Sequence, residues 1–149
     1  MNISRFLPLI CLAIAPATMH GRLIDISSEG EYASVLSQNK PTLVEFSASW
    51  CSVCNRVKKD FESLAQDSEF SGINFVRVDI DQAKNLREKN GIVGVPSFLF
   101  IQGSTHLKES VGVKNLQTFK EDLRNDLRTV FEFPSPDEDE DGSGSNDKA

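Results

Sequence analysis

The sequence predicts an α/β domain: a central mixed β-sheet flanked by helices on both faces. Three observations carry that expectation. Strand-like runs alternate with segments of helical period along the middle of the chain. One run, Thr42-Leu43-Val44-Glu45-Phe46, is apolar but for a single acid, as a strand covered on both faces must be. The last two runs are separated only by a turn around Gly103, which makes them a hairpin and adds antiparallel strands to the sheet. The chain has 149 residues, 39% of them hydrophobic, which suits one domain with an ordinary core.

The elements follow in order. Arg22 to Ile26 reads as a short first strand. Ser28 to Gln38 carries Tyr32, Val35 and Leu36 at helical spacing, with Ser27 or Ser28 as the cap. Asn39-Lys40-Pro41 breaks it, and the strand Thr42–Phe46 follows. Cys51 to Ala65 is a helix with Val53, Val57, Phe61 and Leu64 on one stripe, while Lys58, Lys59 and Glu62 face water. Ile73 to Ile80 alternates as a strand. Gln82 to Asn90 is a polar helix ended by Gly91. Ser97–Ile101 and Leu107–Val111 form the hairpin, with His106 in its turn. A last helix sets Leu116, Phe119, Leu123, Leu127 and Val130 on one side. No internal repeat and no second domain is seen.

Both ends differ from the middle. Seven of the 22 acids and one lysine lie from Glu132 onward, so this tail carries the whole net charge of −6. Residues 132–149, rich in Pro, Ser, Gly and acids, are expected to be disordered. The balanced remainder offers no cationic face for nucleic acid. At the other end, Arg5 precedes the uncharged run Phe6–Ala17, which closes on Ala15-Pro16-Ala17, a small-x-small site. Residues 1–17 are therefore expected to be a signal peptide, too short to span a membrane, placing the protein in a periplasm, secretory lumen or extracellular space. Contact with the membrane is expected only during export.

Cleavage would remove Cys11 and leave Cys51 and Cys54. Two cysteines three positions apart close too small a loop to brace a fold, so the pair reads as chemical. Cys51 follows the strand-to-helix turn, where unpaired N–H groups and the helix dipole favour a thiolate. Cys54 lies one turn on, at a Cα separation of ~5–6 Å that permits a disulfide. Cys51 is expected to be the exposed nucleophile and Cys54 the inner, resolving thiol. Trp50 can shield the pair and offer a flat contact surface. Glu45, an acid inside a buried strand, needs a reason to be there.

The stretch Val44-Glu45-Phe46-Ser47-Ala48-Ser49-Trp50-Cys51-Ser52-Val53-Cys54 resembles the active site of the thioredoxin superfamily, and Gly94-Val95-Pro96-Ser97-Phe98 resembles that family's cis-proline segment. Gly112 also fits the family pattern. The likeness covers Leu23 to Val130, within a domain of residues 22–131. It implies a thioredoxin fold and a thiol–disulfide oxidoreductase that needs no cofactor or metal and acts as a monomer on disulfide-containing proteins. Its electrons would come from an upstream dithiol reductase or a membrane thiol transporter. The resemblance further implies that Pro96 follows a cis bond and, with Val95 and Trp50, presents the surface that holds substrate. A cis X–Pro bond costs only ~0.5–1 kcal/mol. It implies that Glu45 is the buried acid that takes a proton from Cys54, its pKa raised by burial. Arg77 stands where many members place the acid's basic partner. Between the cysteines, Ser52-Val53 is neither Gly-Pro nor a pair with histidine. The missing histidine points toward a reductant or a mild exchanger of disulfides.

The residues also permit other readings. The pair could be half a zinc site, with His20 and His106 as the remaining ligands. Glu45 and Arg77 could be only a structural ion pair. The function could be that of an oxidase or isomerase of exported proteins, or of a redox-inactive module that binds extended peptides.

Overall fold

The computed structural model describes residues 23–133; the apolar N-terminal run, His20 and most of the acidic tail lie outside them. Nine elements follow the expected order: β1 (Leu23–Ile26), α1 (Glu29–Leu36), β2 (Pro41–Ser47), α2 (Ser52–Ala65), β3 (Asn74–Asp79), α3 (Lys84–Lys89), β4 (Ser97–Gln102), β5 (Thr105–Val111) and α4 (Phe119–Phe131). The strands form one sheet in the order β1-β3-β2-β4-β5. β3 pairs in parallel with β1 and β2, while β4 runs antiparallel to both β2 and β5. Ser47 pairs with Asp79, and Phe46 with both Val78 and Ser97. The C-terminal ends of β2 and β3 therefore meet the start of β4 at one edge of the sheet, and the segments leaving those ends are neighbours.

Successive side chains of a strand point to opposite faces, and the two faces are filled differently. Val44, Phe46, Val76, Val78 and Leu99 form a mainly aliphatic core with Tyr32 and Val35 of α1 and Leu86 of α3. The other face is rich in phenylalanine. Phe75, Phe98 and Phe100 meet Phe61 of α2 and Phe119 of α4 there. Phe61 stands edge-on to Phe75, with ring centroids 5.6 Å apart, and 6.2 Å from Phe98. Glu45 lies on this second face, between Leu43 and the end of β2.

Local chemistry sets the element ends. Ser28 caps α1 in a reciprocal capping box with Glu31, so the helix begins one residue later than its cap. α3 is shorter than the polar pattern from Gln82 suggests. The Asp79 carboxylate accepts the Asp81 and Gln82 N–H groups, which commits those residues to a turn. Gly91 ends the helix at a φ of 66°, in the left-handed region open to glycine. His106 is a correction: it pairs with Ile101 inside β5, because the hairpin turn closes two residues earlier. Val53 is another. It packs half-buried against the aliphatic cluster, whereas Val57, Phe61 and Leu64 belong to the aromatic one.

A 3-10 turn at Ser68–Phe70 has no counterpart in the periodicity. Arg124 of α4 binds Asp67 at 2.9 Å and Glu69 at 2.6 Å, and its guanidinium lies over the Phe70 ring. Phe133 also packs against Phe70, so ordered packing continues past the end of α4. Because Phe61 is fully buried between β3 and β4, Phe61→Ala should lower the unfolding free energy by about 3–5 kcal/mol, measured by urea denaturation, with the loss concentrated in the midpoint.

Candidate active site

Cys51 is the N-cap of α2, and Cys54 sits in its first turn. Their Cα atoms are 5.3 Å apart and their sulfurs are bonded, so the protein is described in its oxidised form. The Cys51 sulfur accepts the Cys54 backbone N–H at 3.1 Å. It thus does the work that a serine or aspartate oxygen does at most helix starts, and it is held where unpaired N–H groups converge. The turn before it is fixed from two sides. Cys51 N–H donates to Ala48 O, and the Asn55 side chain donates to Ser49 O.

One expectation is corrected here. Cys51 is the outer of the two cysteines, but it is only 7% exposed, against 2% for Cys54. The exposed groups are its neighbours. Trp50 is 66% exposed, and its indole N–H donates to Asp81 Oδ2 at 2.8 Å. Asp81 has no place in the motif reading. Its signal is topological, since parallel pairing of β2 with β3 makes the segments after Ser47 and Asp79 neighbours.

Across from the dithiol, the Val95–Pro96 peptide bond is cis. The Val95 carbonyl oxygen lies 3.8 Å from Cys51 Sγ. A disulfide sulfur has no proton to donate, so in this form the approach is a contact and not a hydrogen bond. Pro96 is buried and Val95 half-buried. The segment is anchored by Ser97, whose hydroxyl donates to Gly94 O, and by Gly112, whose N–H donates to Pro96 O at 2.7 Å. Gly112 holds a φ of 75° to do so. Val93 and Val111 stand exposed beside this segment.

Glu45 is 1% exposed. It lines a cavity of about 240 Å³ together with Cys54, Asn55, Lys58 and Arg77. Arg77, its neighbour in the β2–β3 register, donates from Nε to Glu45 Oε2 at 2.9 Å. Burial pushes the Glu45 carboxyl above the ordinary carboxylate range, and the Arg77 hydrogen bond and charge only partly offset it. Burial likewise opposes the charge on Arg77, but there the attraction of Glu45 and Glu62 prevails, and the pKa is raised. Glu62 was expected to face water. It is half-buried instead and accepts from Arg77 Nη1 at 3.2 Å.

A sheet of this order with a cysteine pair capping the helix after its central strand defines a class, the dithiol proteins of thioredoxin-like fold. The comparisons narrow it. The thioredoxin family model matches residues 24–125, and the chain belongs to the thioredoxin family. It is 32% identical to the thioredoxin of Mycoplasmoides gallisepticum over 99 residues, covering 66% of this chain and 97% of that one. It is 30% identical over 111 residues to the bifunctional thioredoxin reductase/thioredoxin of Mycobacterium leprae; this is 74% of the present chain but only 24% of that protein. The crystal structure of the Malassezia sympodialis thioredoxin superposes with a TM-score of 0.65 at 22% identity, covering 76% of this chain and 91% of that one. Family and cysteine pair together make the protein a thiol–disulfide oxidoreductase.

A raised carboxyl pKa means that the native state holds its proton more tightly than the unfolded chain does. As pH rises past the ordinary value of about 4.3, the unfolded chain ionises first and the native state loses stability until Glu45 has titrated. Glu45→Gln removes that dependence. Unfolding midpoints measured from acid to alkaline pH should therefore show the variant gaining on the parent as pH rises, whatever the constant offset between them.

Proposed function

We propose that the protein is a reductase of disulfides in other exported proteins, with Cys51 as nucleophile and Cys54 as resolving thiol. The observation that carries this reading is the cysteine pair at the N-terminus of α2, with the Cys51 sulfur held by a backbone N–H and only Ser52 and Val53 between the two. Backbone donors and the helix dipole favour a thiolate on Cys51. No histidine adds to that effect between the cysteines, so the reduced form is not stabilised as it is in strong oxidants.

The exchange balances in two steps. The Cys51 thiolate attacks one sulfur of the substrate disulfide, forming a mixed disulfide and releasing the other substrate sulfur as a thiolate. Glu45 takes the Cys54 proton across the cavity they share. The Cys54 thiolate then attacks the Cys51 sulfur, closes the Cys51–Cys54 disulfide and frees the second substrate sulfur. Two electrons pass to the substrate, and an upstream dithiol reductase or membrane thiol transporter must return them.

The substrate chain lies against exposed Trp50, next to Cys51 in the chain, and the exposed Val93 and Val111 that flank the Val95–Pro96 segment. An extended segment placed there runs beside the Val95–Pro96 backbone, whose Val95 carbonyl already lies next to Cys51 Sγ. Pro96, being buried, shapes this backbone and is not itself a contact face. Export rests on the uncharged run Phe6–Ala17 and its small-x-small end. The protein works as a monomer.

Cys54→Ser tests the reading in the native cell. The variant should accumulate as mixed disulfides through Cys51, with exported proteins as partners, and its mature chain should begin at Thr18. The double variant Cys51→Ser/Cys54→Ser should trap nothing. Absence of mixed disulfides from Cys54→Ser, with peptide binding retained by Cys51→Ser, would overturn the enzymatic reading.

A further inference from the structure

Arg77 and Glu45 form an incomplete pair. An arginine facing a carboxylate commonly makes two parallel bonds, fork to fork. Here only Nε reaches Glu45, at Oε2. Glu45 Oε1 and Arg77 Nη2 are both buried and without a hydrogen-bond partner. The unmade second bond of the fork is thus visible as one buried atom on each partner without a protein partner, a costly arrangement for polar groups.

The guanidinium is held elsewhere at the same time. Nη1 binds Glu62 Oε1 on α2 at 3.2 Å, and the Arg77 guanidinium lies over the Phe61 ring, 5.6 Å from its centroid. Asp25 of β1 is a weaker third neighbour, 3.9 Å from Nη1 and with its side chain 78% exposed. Glu62 is placed on the same helix as Cys54, two turns on, and its side chain reaches the surface at 35% exposure.

We propose that Glu62 is a positioning residue for the resolving step: by holding the outer nitrogen of Arg77 it keeps that residue on one oxygen of Glu45 and leaves the other oxygen free to take the Cys54 proton. The inference rests on the reading of Glu45 as proton acceptor and names what keeps it fit for that role. A bidentate Arg77 would hold Glu45 ionised and make it a weak base. The remaining groups around Glu45 are accounted for. Lys58 and Cys54 face the shared cavity from α2, Asp79 lines its edge from β3, and the neighbour from β4 is the uncharged Phe98. Lys58 and Arg77 favour the carboxylate, and Glu62 opposes it. Removing the Glu62 charge therefore ends a repulsion and weakens the hold on Arg77 Nη1 that keeps its fork open.

The test is Glu62→Gln in the full, reduced chain, read by carboxyl-carbon NMR titration of Glu45 and by the pH profile of mixed-disulfide resolution. The Glu45 midpoint should fall by about one pH unit, and the limb of the rate profile that follows Glu45 should move with it. Glu62→Asp, which keeps the charge, should restore the parent's midpoint, and Asp25→Asn should leave it unmoved. A folded Glu62→Gln variant whose Glu45 titrates at the parent's pH would overturn the inference while leaving the exchange mechanism standing. A carboxyl that shifts without any change in the rate profile would instead remove Glu45 from the mechanism, and the inference with it.

Discussion

Cys51 holds the site together because its sulfur has two jobs. It is the reacting atom, and it is also the cap that satisfies the Cys54 N–H at the start of α2. Helix starts leave several N–H groups without partners, and something must accept from them. Giving that place to a sulfur ties the nucleophile's position to the geometry of the helix, and the geometry of the helix to the turn at Ala48–Trp50. The helix is in turn fixed by Phe61 and Leu64 against β3 and β4. A sulfur mounted this way needs no adjacent side-chain base to bias it toward the thiolate.

The same sheet carries a cost close by. Glu45 and Arg77 sit among the phenylalanines of one face, where charges are expensive to desolvate. Their pairing is incomplete, and Glu45 stays harder to ionise than an ordinary carboxyl. An apolar residue in place of Glu45 would serve packing better. The acid opens onto the cavity that Cys54 also lines, the place that the proposed proton transfer needs.

Much of this was legible in the sequence. The order of elements, the position of Cys51 at a helix start and the one-turn spacing of Cys54 follow from local pattern. Burial of Glu45 follows from its place in an apolar strand. What escaped depends on contacts between distant segments. Asp81 reaches Trp50 only because β2 and β3 are parallel and end together. Glu62 reads as a solvated helix position until β3 brings Arg77 beside it. The turn at Ser68–Phe70 is too short to show a period, and Arg124 from α4 holds it. The burial of Cys51 does not show in its helix position, because it depends on how closely the Val95 backbone approaches it.

The direction of electron flow is the point on which the account stands or falls. It is read most directly by equilibrating the Cys51/Cys54 pair with defined ratios of reduced and oxidised glutathione. With no histidine between the cysteines to stabilise the thiolate further, the account predicts a reducing couple, in the range of about −230 to −270 mV. A value near about −120 mV, typical of a dithiol whose reduced form is strongly stabilised, would contradict it and make the protein an oxidant.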